Sequence, residues 1–234
     1  MKAILRTDPG KVRDRNQDAA LVLPGMAPLY AVADGMGGHR GGDVASAMAI
    51  EGLRELENVA PTEATIRACF SVINERINTR QGEDETLKGM GTTLTMLWET
   101  ENSVLLGHVG DSRAYLYRGA RLYQVSRDHS LVGELLRTGV ISKEAARDYP
   151  YRHIITRAVG TDSHLACDTA VMDKQPGDRW LLCSDGLTDG ITDEQIEGCV
   201  RMADMEEGAD TLMRMALEAG GRDNITVLLL EVSA

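Results

Sequence analysis

Aromatic side chains are scarce in this sequence, since Phe, Trp and Tyr together make up only 4% of its 234 residues. So few rings offer little on which nucleic-acid bases could stack. A basic surplus is also missing, because 36 acidic residues face 25 Lys and Arg, for a formal net charge of −11. Nucleic acids and anionic membranes attract clustered Lys and Arg. We therefore expect neither as a partner, and we expect a largely aliphatic core.

Cysteine is sparse too, and its spacing excludes the common zinc motifs. The four cysteines are Cys69, Cys167, Cys183 and Cys199. Structural zinc sites use closely spaced pairs, so we expect reduced thiols, as in cytosolic proteins. No basic-then-apolar leader opens the chain, and no apolar run approaches the roughly 18 residues that span a bilayer. The sequence predicts a soluble, cytoplasmic protein.

Repeats, low-complexity linkers and long like-charge tails are also missing, so we predict a single domain and a monomer. Strand-like segments cover residues 3–7, 19–23, 29–33, 92–99, 104–109, 114–117, 121–125, 169–172, 179–183 and 225–232. Helical patterns cover residues 43–57, 63–80, 192–202 and 205–219. Thr62 is the expected N-cap of the second helix, and Thr192 with Gln195 has the spacing of a capping box. Strands and paired helices in this order indicate a layered α/β body.

Residues 128–159 break this pattern. Short amphipathic pieces over residues 131–137 and 143–148 replace the strands there. We interpret the segment as a small insertion packed on the rim of the sheets. Its first residues, Asp128-His129-Ser130, contain the residue types of a catalytic triad. Adjacent residues cannot form a triad by sequence proximity, so we expect Asp128 or Ser130 to cap the following helix.

Four short acidic motifs are the most informative feature that is present. They are Asp34-Gly35-Met36-Gly37-Gly38-His39, Gly110-Asp111-Ser112-Arg113, Ser184-Asp185-Gly186 and Asp223-Asn224. Three follow an apolar run, and the fourth stands just before one. In an antiparallel sheet the end of one strand lies beside the start of its neighbour, so these carboxylates can converge on one edge. Oxygen ligands of this kind suit Mg²⁺ or Mn²⁺.

A single Asp-Gly pair is more often a turn than a metal ligand, but the ordered set of motifs is specific. The chain also contains Arg13-Asp14-Arg15-Asn16-Gln17-Asp18, Gly91-Thr92-Thr93 and Ile225-Thr226-Val227. In this order the segments resemble the metal-dependent serine/threonine protein phosphatases of the type 2C class, most closely their short bacterial members. The resemblance runs from about Thr7 to Val232.

The resemblance implies an α/β (α+β) fold, a four-layer α-β-β-α sandwich with two central antiparallel sheets, flanking helix pairs and a metal cleft at one end. Residues 1–234 would form one phosphatase catalytic domain, in which residues 128–159 are the flap beside the active site.

The same resemblance implies the metal ligands. Asp34 would bridge two divalent cations, Mn²⁺ or Mg²⁺, and the carbonyl of Gly35 would complete the shell of the second. Asp185 and Asp223 would hold the first. Asp111 corresponds to the ligand of a weaker third ion, shared with Asp185. Two bridged divalent cations lower the pKa of a shared water, so that hydroxide can attack phosphorus near neutral pH.

Residues beside the ligands match further functional positions. Gln17 and Asp18 match positions that hydrogen-bond metal-bound waters. Arg13 matches the arginine that binds the phosphoryl group, where a planar guanidinium pairs with two oxygens at once. Arg15 is expected to be a surface residue.

The general acid stays open. Eukaryotic members have a His directly after the first Asp-Gly, whereas this chain has Met36 there. Bacterial members place a His three positions later, which is His39 here, and its imidazole could donate a proton near neutral pH. The alternatives are a hydrogen-bonded loop histidine without a catalytic role, and a metal-bound water as the acid.

The predicted function is hydrolysis of phosphoserine and phosphothreonine on proteins by metal-activated water. The predicted partners are phosphoprotein substrates and a bacterial serine/threonine kinase whose action the enzyme reverses. Two alternatives remain, a pseudophosphatase that binds metal or phosphopeptide without turnover, and a phosphatase of small phosphate esters. The intact set Asp34, Asp185 and Asp223 argues against the first.

Overall fold

Two antiparallel β-sheets form the centre of the structure, a computed structural model that describes residues 1–142, 145–146 and 149–233, apart from the side chains of residues 38–40. The strands are β1 (Lys2–Asp8), β2 (Asp18–Leu23), β3 (Leu29–Met36), β4 (Gly91–Thr92), β5 (Leu94–Glu99), β6 (Ser103–Val109), β7 (Arg113–Arg118), β8 (Arg121–Gln124), β9 (Asp168–Asp173), β10 (Arg179–Cys183) and β11 (Ile225–Glu231). One sheet has the order β1-β11-β10-β7-β8. The other has the order β2-β3-β5-β6-β9, with β4 paired to β3.

Helices cover the outer face of each sheet. They are α1 (Gly38–Arg54), α2 (Glu63–Glu83), α3 (Leu131–Arg137), α4 (Asp185–Thr188), α5 (Asp193–Val200) and α6 (Met205–Glu218). Helices α1 and α2 pack on the sheet that contains β3, and α5 and α6 pack on the sheet that contains β11. The predicted N-cap at Thr62 and the capping box of Thr192 with Gln195 are both present. Among the residues that the structure describes, no helix is long and apolar enough to cross a bilayer.

Strand β11 illustrates how the layers are joined. Leu228 and Leu230 contribute to the apolar layer between the two sheets, where they are packed with Trp180. Val227 and Leu229 contribute to the layer beneath α5 and α6. This alternation follows from the two-residue period of a strand, and each fully buried side chain of this size contributes about 1.5–3 kcal/mol. The predicted four-layer α-β-β-α sandwich is thereby confirmed, with a core that is mainly aliphatic.

Strand register brings the acidic motifs to one rim. Asp18 of β2 lies opposite Asp34 of β3. In the other sheet the last residue of β10 pairs with the third residue of β11. Asp185 therefore follows the end of one strand, while Asp223 precedes the start of its neighbour. Strand β11 also contacts β2 and β3 across the two sheets, so the two pairs of carboxylates face a common rim.

Helix α1 begins at residue 38, earlier than the predicted residue 43, because small residues let its first turn lie against the main chain of β3. A Cβ atom on Gly42 would be 2.5 Å from the carbonyl oxygen of Gly35. The strand predicted over residues 92–99 is interrupted at Thr93, whose N–H donates to the carbonyl of Asp34 at 2.8 Å. At this point Thr93 therefore bonds to the main chain beside Asp34 at the rim, and does not pair as a strand residue.

The insertion over residues 128–159 begins with α3, which has the predicted bounds. Of the second predicted piece, over residues 143–148, only residues 145–146 belong to the described part of the chain, and both are helical.

Candidate active site

Asp18 and Asp34 form an adjacent pair of carboxylates at the rim. They lie directly opposite each other on β2 and β3. Oδ2 of Asp18 accepts hydrogen bonds from the hydroxyls of Ser184 and Thr226, each at 2.7 Å. Thr226 lies in β11 of the other sheet, and Ser184 directly follows β10 of that sheet. They therefore fix the Asp18 carboxylate across the junction between the sheets.

The backbone of Asp34 is held by two neighbouring threonines. Its N–H donates to Oγ1 of Thr93, and its carbonyl accepts from the hydroxyl of Thr92, each at 2.9 Å. The next residue, Gly35, has no room for a side chain, because a Cβ atom would lie 2.0 Å from the carbonyl oxygen of Gly42. The close approach of two main-chain segments thus requires glycine beside Asp34.

Asp111 stands in the turn between β6 and β7 and is only 8% exposed. The N–H of Gly110 donates to Nδ1 of His129 at 3.0 Å. On the other side of Asp111, the guanidinium of Arg113 donates to the carboxylate of Asp128, with Nη2 at 2.7 Å from Oδ2. Both partners come from the start of the insertion. The insertion therefore fixes the turn that carries Asp111 from both sides.

Asp223 is paired with a guanidinium. Nε of Arg13 donates to Oδ1 of Asp223 at 2.9 Å, and Nη2 donates to Oδ2 at 2.7 Å. This two-point contact is the geometry that guanidinium groups also use with phosphate. The Arg13 side chain is 54% exposed, so it remains accessible from the rim.

Asn224 determines where Arg13 lies. Its Nδ2 donates to the carbonyls of Pro9 and Arg15, each at 2.9 Å, and its Oδ1 accepts from the N–H of Gln17 at 2.8 Å. These three contacts fasten the β1–β2 loop to the start of β11. Arg13 lies within that loop and is thereby held at the rim.

Burial raises the pKa of the clustered carboxyl groups, and their mutual repulsion adds to the effect. Burial is the main cause that raises the pKa of Asp18 to about 6. Burial and the charge of Asp128 raise the pKa of Asp111 to about 7. The pKa values of Asp34 and Asp185 lie well above the usual 3.8, through burial first and then through the charges of the other carboxylates. The ionised cluster therefore needs nearby positive charge.

A divalent cation fits this cluster. Oδ1 of Asp18, Oδ1 of Asp111 and Oδ1 of Asp185 are buried, and none has a hydrogen-bond partner within the described part of the chain. Leaving a buried charged oxygen without a partner is costly. Carboxylate oxygens are the ligands that Mg²⁺ and Mn²⁺ take in proteins. Both the carboxylate ligands and the unpartnered buried oxygens therefore indicate a site for a hard divalent cation.

The predicted site residues are placed as follows. Those at the rim are Arg13, Gln17, Asp18, Asp34, Gly35, Asp111, Asp185 and Asp223. The backbone of His39 lies in the first turn of α1, whereas its side chain is outside the described part. The Arg15 side chain is 65% exposed, as expected for a surface residue. Ser130 caps α3 as expected.

Asp128, the other residue named as a possible cap of α3, has a different role. Its carboxylate accepts from Arg113 and from Nε2 of Gln124, which lies 2.7 Å from Oδ1. Nε and Nη2 of Arg113 both donate to this carboxylate, which is a two-point, charge-assisted contact. With Ser130 serving as the cap, Asp128 pairs with Arg113 instead.

Sequence reasoning missed the polar residues that support the carboxylates, namely Thr93, His129, Ser184, Asn224 and Thr226. Several of these residues stand inside the acidic motifs, and that position was the only sign in the sequence that they belong to the site. The carboxylates and main-chain groups that they bind come from distant strands, so these contacts can be known only from the register of the sheets.

Comparison with known proteins agrees with this geometry. The family model described as protein phosphatase 2C matches residues 11–229. The serine/threonine phosphatase stp of Listeria monocytogenes is 41% identical over 99% of this chain and 96% of its own length. Among solved structures, the Mycobacterium tuberculosis serine/threonine phosphatase PstP/Ppp superposes with a TM-score of 0.93, at 36% identity over 100% of this chain and 99% of that one. The catalytic domain of PstP in complex with two manganese ions gives a TM-score of 0.90 at 35% identity, covering 100% of this chain and 98% of that one.

The raised pKa of Asp18 predicts a specific pH dependence in the metal-free chain. The folded chain keeps the Asp18 proton up to pH about 6, and the unfolded chain keeps it up to about 3.8. The contribution of Asp18 to stability is therefore complete below pH 3.8 and is lost as the pH rises through about 6. Asp18→Asn cannot ionise, and its amide oxygen can still accept the two hydroxyl bonds. In chelator, we expect the variant to be more stable than wild type by about 3 kcal/mol near pH 7.5.

This difference should fall below about 1 kcal/mol near pH 4, where Asp18 of the folded wild type is protonated as well. Urea unfolding at both pH values measures it. A stability difference that is the same at both would contradict the assignment.

Proposed function

The chain belongs to the protein phosphatase 2C family and is a metal-dependent serine/threonine protein phosphatase, and we propose from this premise how its rim residues act. Asp34 and the carbonyl of Gly35, together with Asp185 and Asp223, would hold two divalent cations, Mn²⁺ or Mg²⁺. Asp111 would share a third ion with Asp185. The observation that carries the proposal is the convergence of these carboxylates at one rim, with unpartnered buried oxygens among them.

Cations bound here supply hydroxide near neutral pH for attack on phosphorus and neutralise charge on the phosphoryl oxygens. Asp18, fixed by the hydroxyls of Ser184 and Thr226, would accept hydrogen bonds from water and orient it, with Gln17 beside it. The reaction breaks the bond between phosphorus and the serine or threonine oxygen, and that oxygen takes up a proton.

Arg13 would exchange partners during catalysis. In the structure its guanidinium binds both oxygens of Asp223. If Asp223 holds a cation, its charge is satisfied from the other side, and the same two-point contact becomes available to a phosphoryl group. Asn224 keeps Arg13 within reach in either state, because it fixes the loop and not the side chain.

His39 is the candidate to protonate the leaving oxygen. It lies at the start of α1, a few residues after Asp34 in sequence, and imidazole titrates near neutral pH. Its role rests on this position and on the family resemblance.

The wider assignments are also proposals. Residues 1–234 would be one catalytic domain, with residues 128–159 as its flap. The partners would be phosphoproteins and the serine/threonine kinase that modifies them. The net charge of −11 supports a monomer that avoids nucleic acid and anionic membranes. The four unpaired thiols support a cytoplasmic location.

The two alternative functions are not favoured. A pseudophosphatase has no need of a complete carboxylate cluster, and proteins similar over nearly their whole length are named serine/threonine phosphatases. A phosphatase restricted to small esters is disfavoured by the same names.

Replacing the bridging carboxylate tests the function. We expect Asp34→Asn to lower kcat/KM for a phosphothreonine peptide in Mn²⁺ by more than about 100-fold, since even residues that only orient metal ligands are worth about 10- to 100-fold. The exposed neighbour of the phosphate-binding position provides a control, Asp14→Asn, which should retain wild-type turnover. Equal turnover by Asp34→Asn and wild type would refute the proposed site, and metal binding without turnover in wild type would revive the pseudophosphatase.

Variants of two arginines in the same loop distinguish an effect of phosphate binding from an effect of general surface charge. We expect Arg13→Ala to lower kcat/KM by about 10- to 100-fold, the value of a lost charge-assisted contact. Arg15→Ala removes the same charge two residues away and should stay within about twofold, as usual for an exposed charge. Peptide hydrolysis across substrate concentrations measures both. Similar losses in the two variants would mean that only net charge matters.

A further inference from the structure

Two exposed cations lie beside the arginine that is proposed to bind the phosphoryl group. Lys11 stands two residues before Arg13 in the β1–β2 loop, and Arg222 directly precedes Asp223, the carboxylate that Arg13 binds. The N–H of Lys11 donates to the carbonyl of Gly221 at 2.7 Å. This bond joins the loop to the segment before β11, so the three cations belong to one surface.

The side-chain stems of both cations lie against the two glycines that follow α6. A Cβ atom on Gly221 would be 3.3 Å from Cγ of Lys11, and a Cβ atom on Gly220 would be 3.6 Å from Cγ of Arg222. The φ angles of Gly220 and Gly221 are 134° and 52°, values at which residues with a side chain are strained. Neither position therefore carries a side chain between the two cations, and both can approach one ligand.

The protein does not neutralise these two charges. Among the residues that the structure describes, neither the ammonium of Lys11 nor the guanidinium of Arg222 takes part in a salt bridge or a side-chain hydrogen bond. Other exposed arginines of this acidic chain, such as Arg6 and Arg76, are paired with carboxylates. Uncompensated positive charge beside a site attracts anions to it.

The end of α6 does not account for the two cations. A helix C-terminus attracts Lys and Arg, and α6 ends at Glu218. The carbonyls of Met215, Ala216 and Leu217 already accept from the N–H groups of residues 219–221. No side-chain donor of Lys11 or Arg222 reaches them in the described part of the chain. The main chain therefore caps this helix, and the two cations are left for another ligand.

We propose that Lys11 and Arg222 form a second anion-binding position, which takes a negatively charged side chain of the phosphoprotein near the residue that is dephosphorylated. This inference rests on the proposed function, in which Arg13 binds the phosphoryl group. The Cα atoms of Lys11 and Arg13 are at most about 7 Å apart, a distance that an extended substrate covers in about two residues. The anion is a phosphate or a carboxylate, since both accept charge-assisted hydrogen bonds from Lys and Arg.

The substrate class that follows is a phosphoprotein segment with a second negative charge close to its phosphothreonine or phosphoserine. The flanking anion does not react, so its contact is the same in the bound substrate and in the transition state. Such a contact lowers KM and leaves kcat unchanged.

The test measures hydrolysis of phosphothreonine peptides by the full chain in Mn²⁺. The peptides differ in one residue, which is Gln, Glu or a phosphonate analogue of phosphoserine with an uncleavable P–C bond, placed at each of the three positions on either side. At the best position we expect an anionic residue to lower KM by about fivefold relative to Gln, the upper value for one exposed ion pair. A gain with the phosphonate alone identifies a second phosphate as the ligand, and a gain with Glu as well identifies any acidic residue.

A double variant, Lys11→Gln with Arg222→Gln, removes both charges. It should bring the ratio of kcat/KM between the anionic and the neutral peptide to about one. The matched control is Lys2→Gln with Arg121→Gln, which removes two exposed charges from strand ends away from the rim and should keep the wild-type ratio. A purely structural role at the end of α6 would lower the unfolding free energy of the double variant without changing this ratio.

Equal kcat/KM for all peptides in wild type, or a wild-type ratio in the double variant, would overturn the inference and leave the proposed function standing. Failure of the proposed function has a different signature, because wild type would then hydrolyse none of the peptides in Mn²⁺. That result would overturn the inference as well.

Discussion

Burial of several carboxylates at one rim is the constraint on which the rest of the structure depends. Burial raises the pKa values of Asp18, Asp34, Asp111 and Asp185, and the charges of neighbouring carboxylates raise each of them further. A chain that gathers these groups gives up stability unless positive charge joins them. Cations provide that charge and are needed for catalysis. The free-energy cost of burying these carboxylates therefore favours cation binding at the place where the reaction occurs.

The fold positions the rim carboxylates through contacts within the protein. Apolar layers on both faces of each sheet fix the strand register, and the register places Asp18 opposite Asp34. Hydroxyl groups of the opposite sheet hold the Asp18 carboxylate. Neutral donors suit this task, because they orient a carboxylate without satisfying the charge that the cations must satisfy. Arg13 is the exception, because its charged guanidinium pairs with Asp223 while its side chain is 54% exposed.

Sequence reasoning reached the layers and the carboxylates that meet at the rim, because both leave local signals. Apolar alternation and capping residues mark the elements, and each acidic motif stands at a strand boundary. The supporting contacts leave no such signal. Nothing near Asn224 in sequence indicates that its side chain binds the carbonyls of Pro9 and Arg15, 215 and 209 positions away. No local signal indicates, either, that Asp128 pairs with Arg113 of β7, 15 positions away.

The most direct test of this account is the unfolding free energy of wild type and Asp34→Asn in chelator and in Mn²⁺. The account predicts that Mn²⁺ stabilises wild type by about 2.7 kcal/mol at 100 times its dissociation constant. It also predicts that Asp34→Asn is more stable than wild type in chelator, because one repelling charge is gone, and gains little from Mn²⁺. Wild-type stability that is independent of Mn²⁺, with Asp34→Asn less stable in chelator, would contradict it.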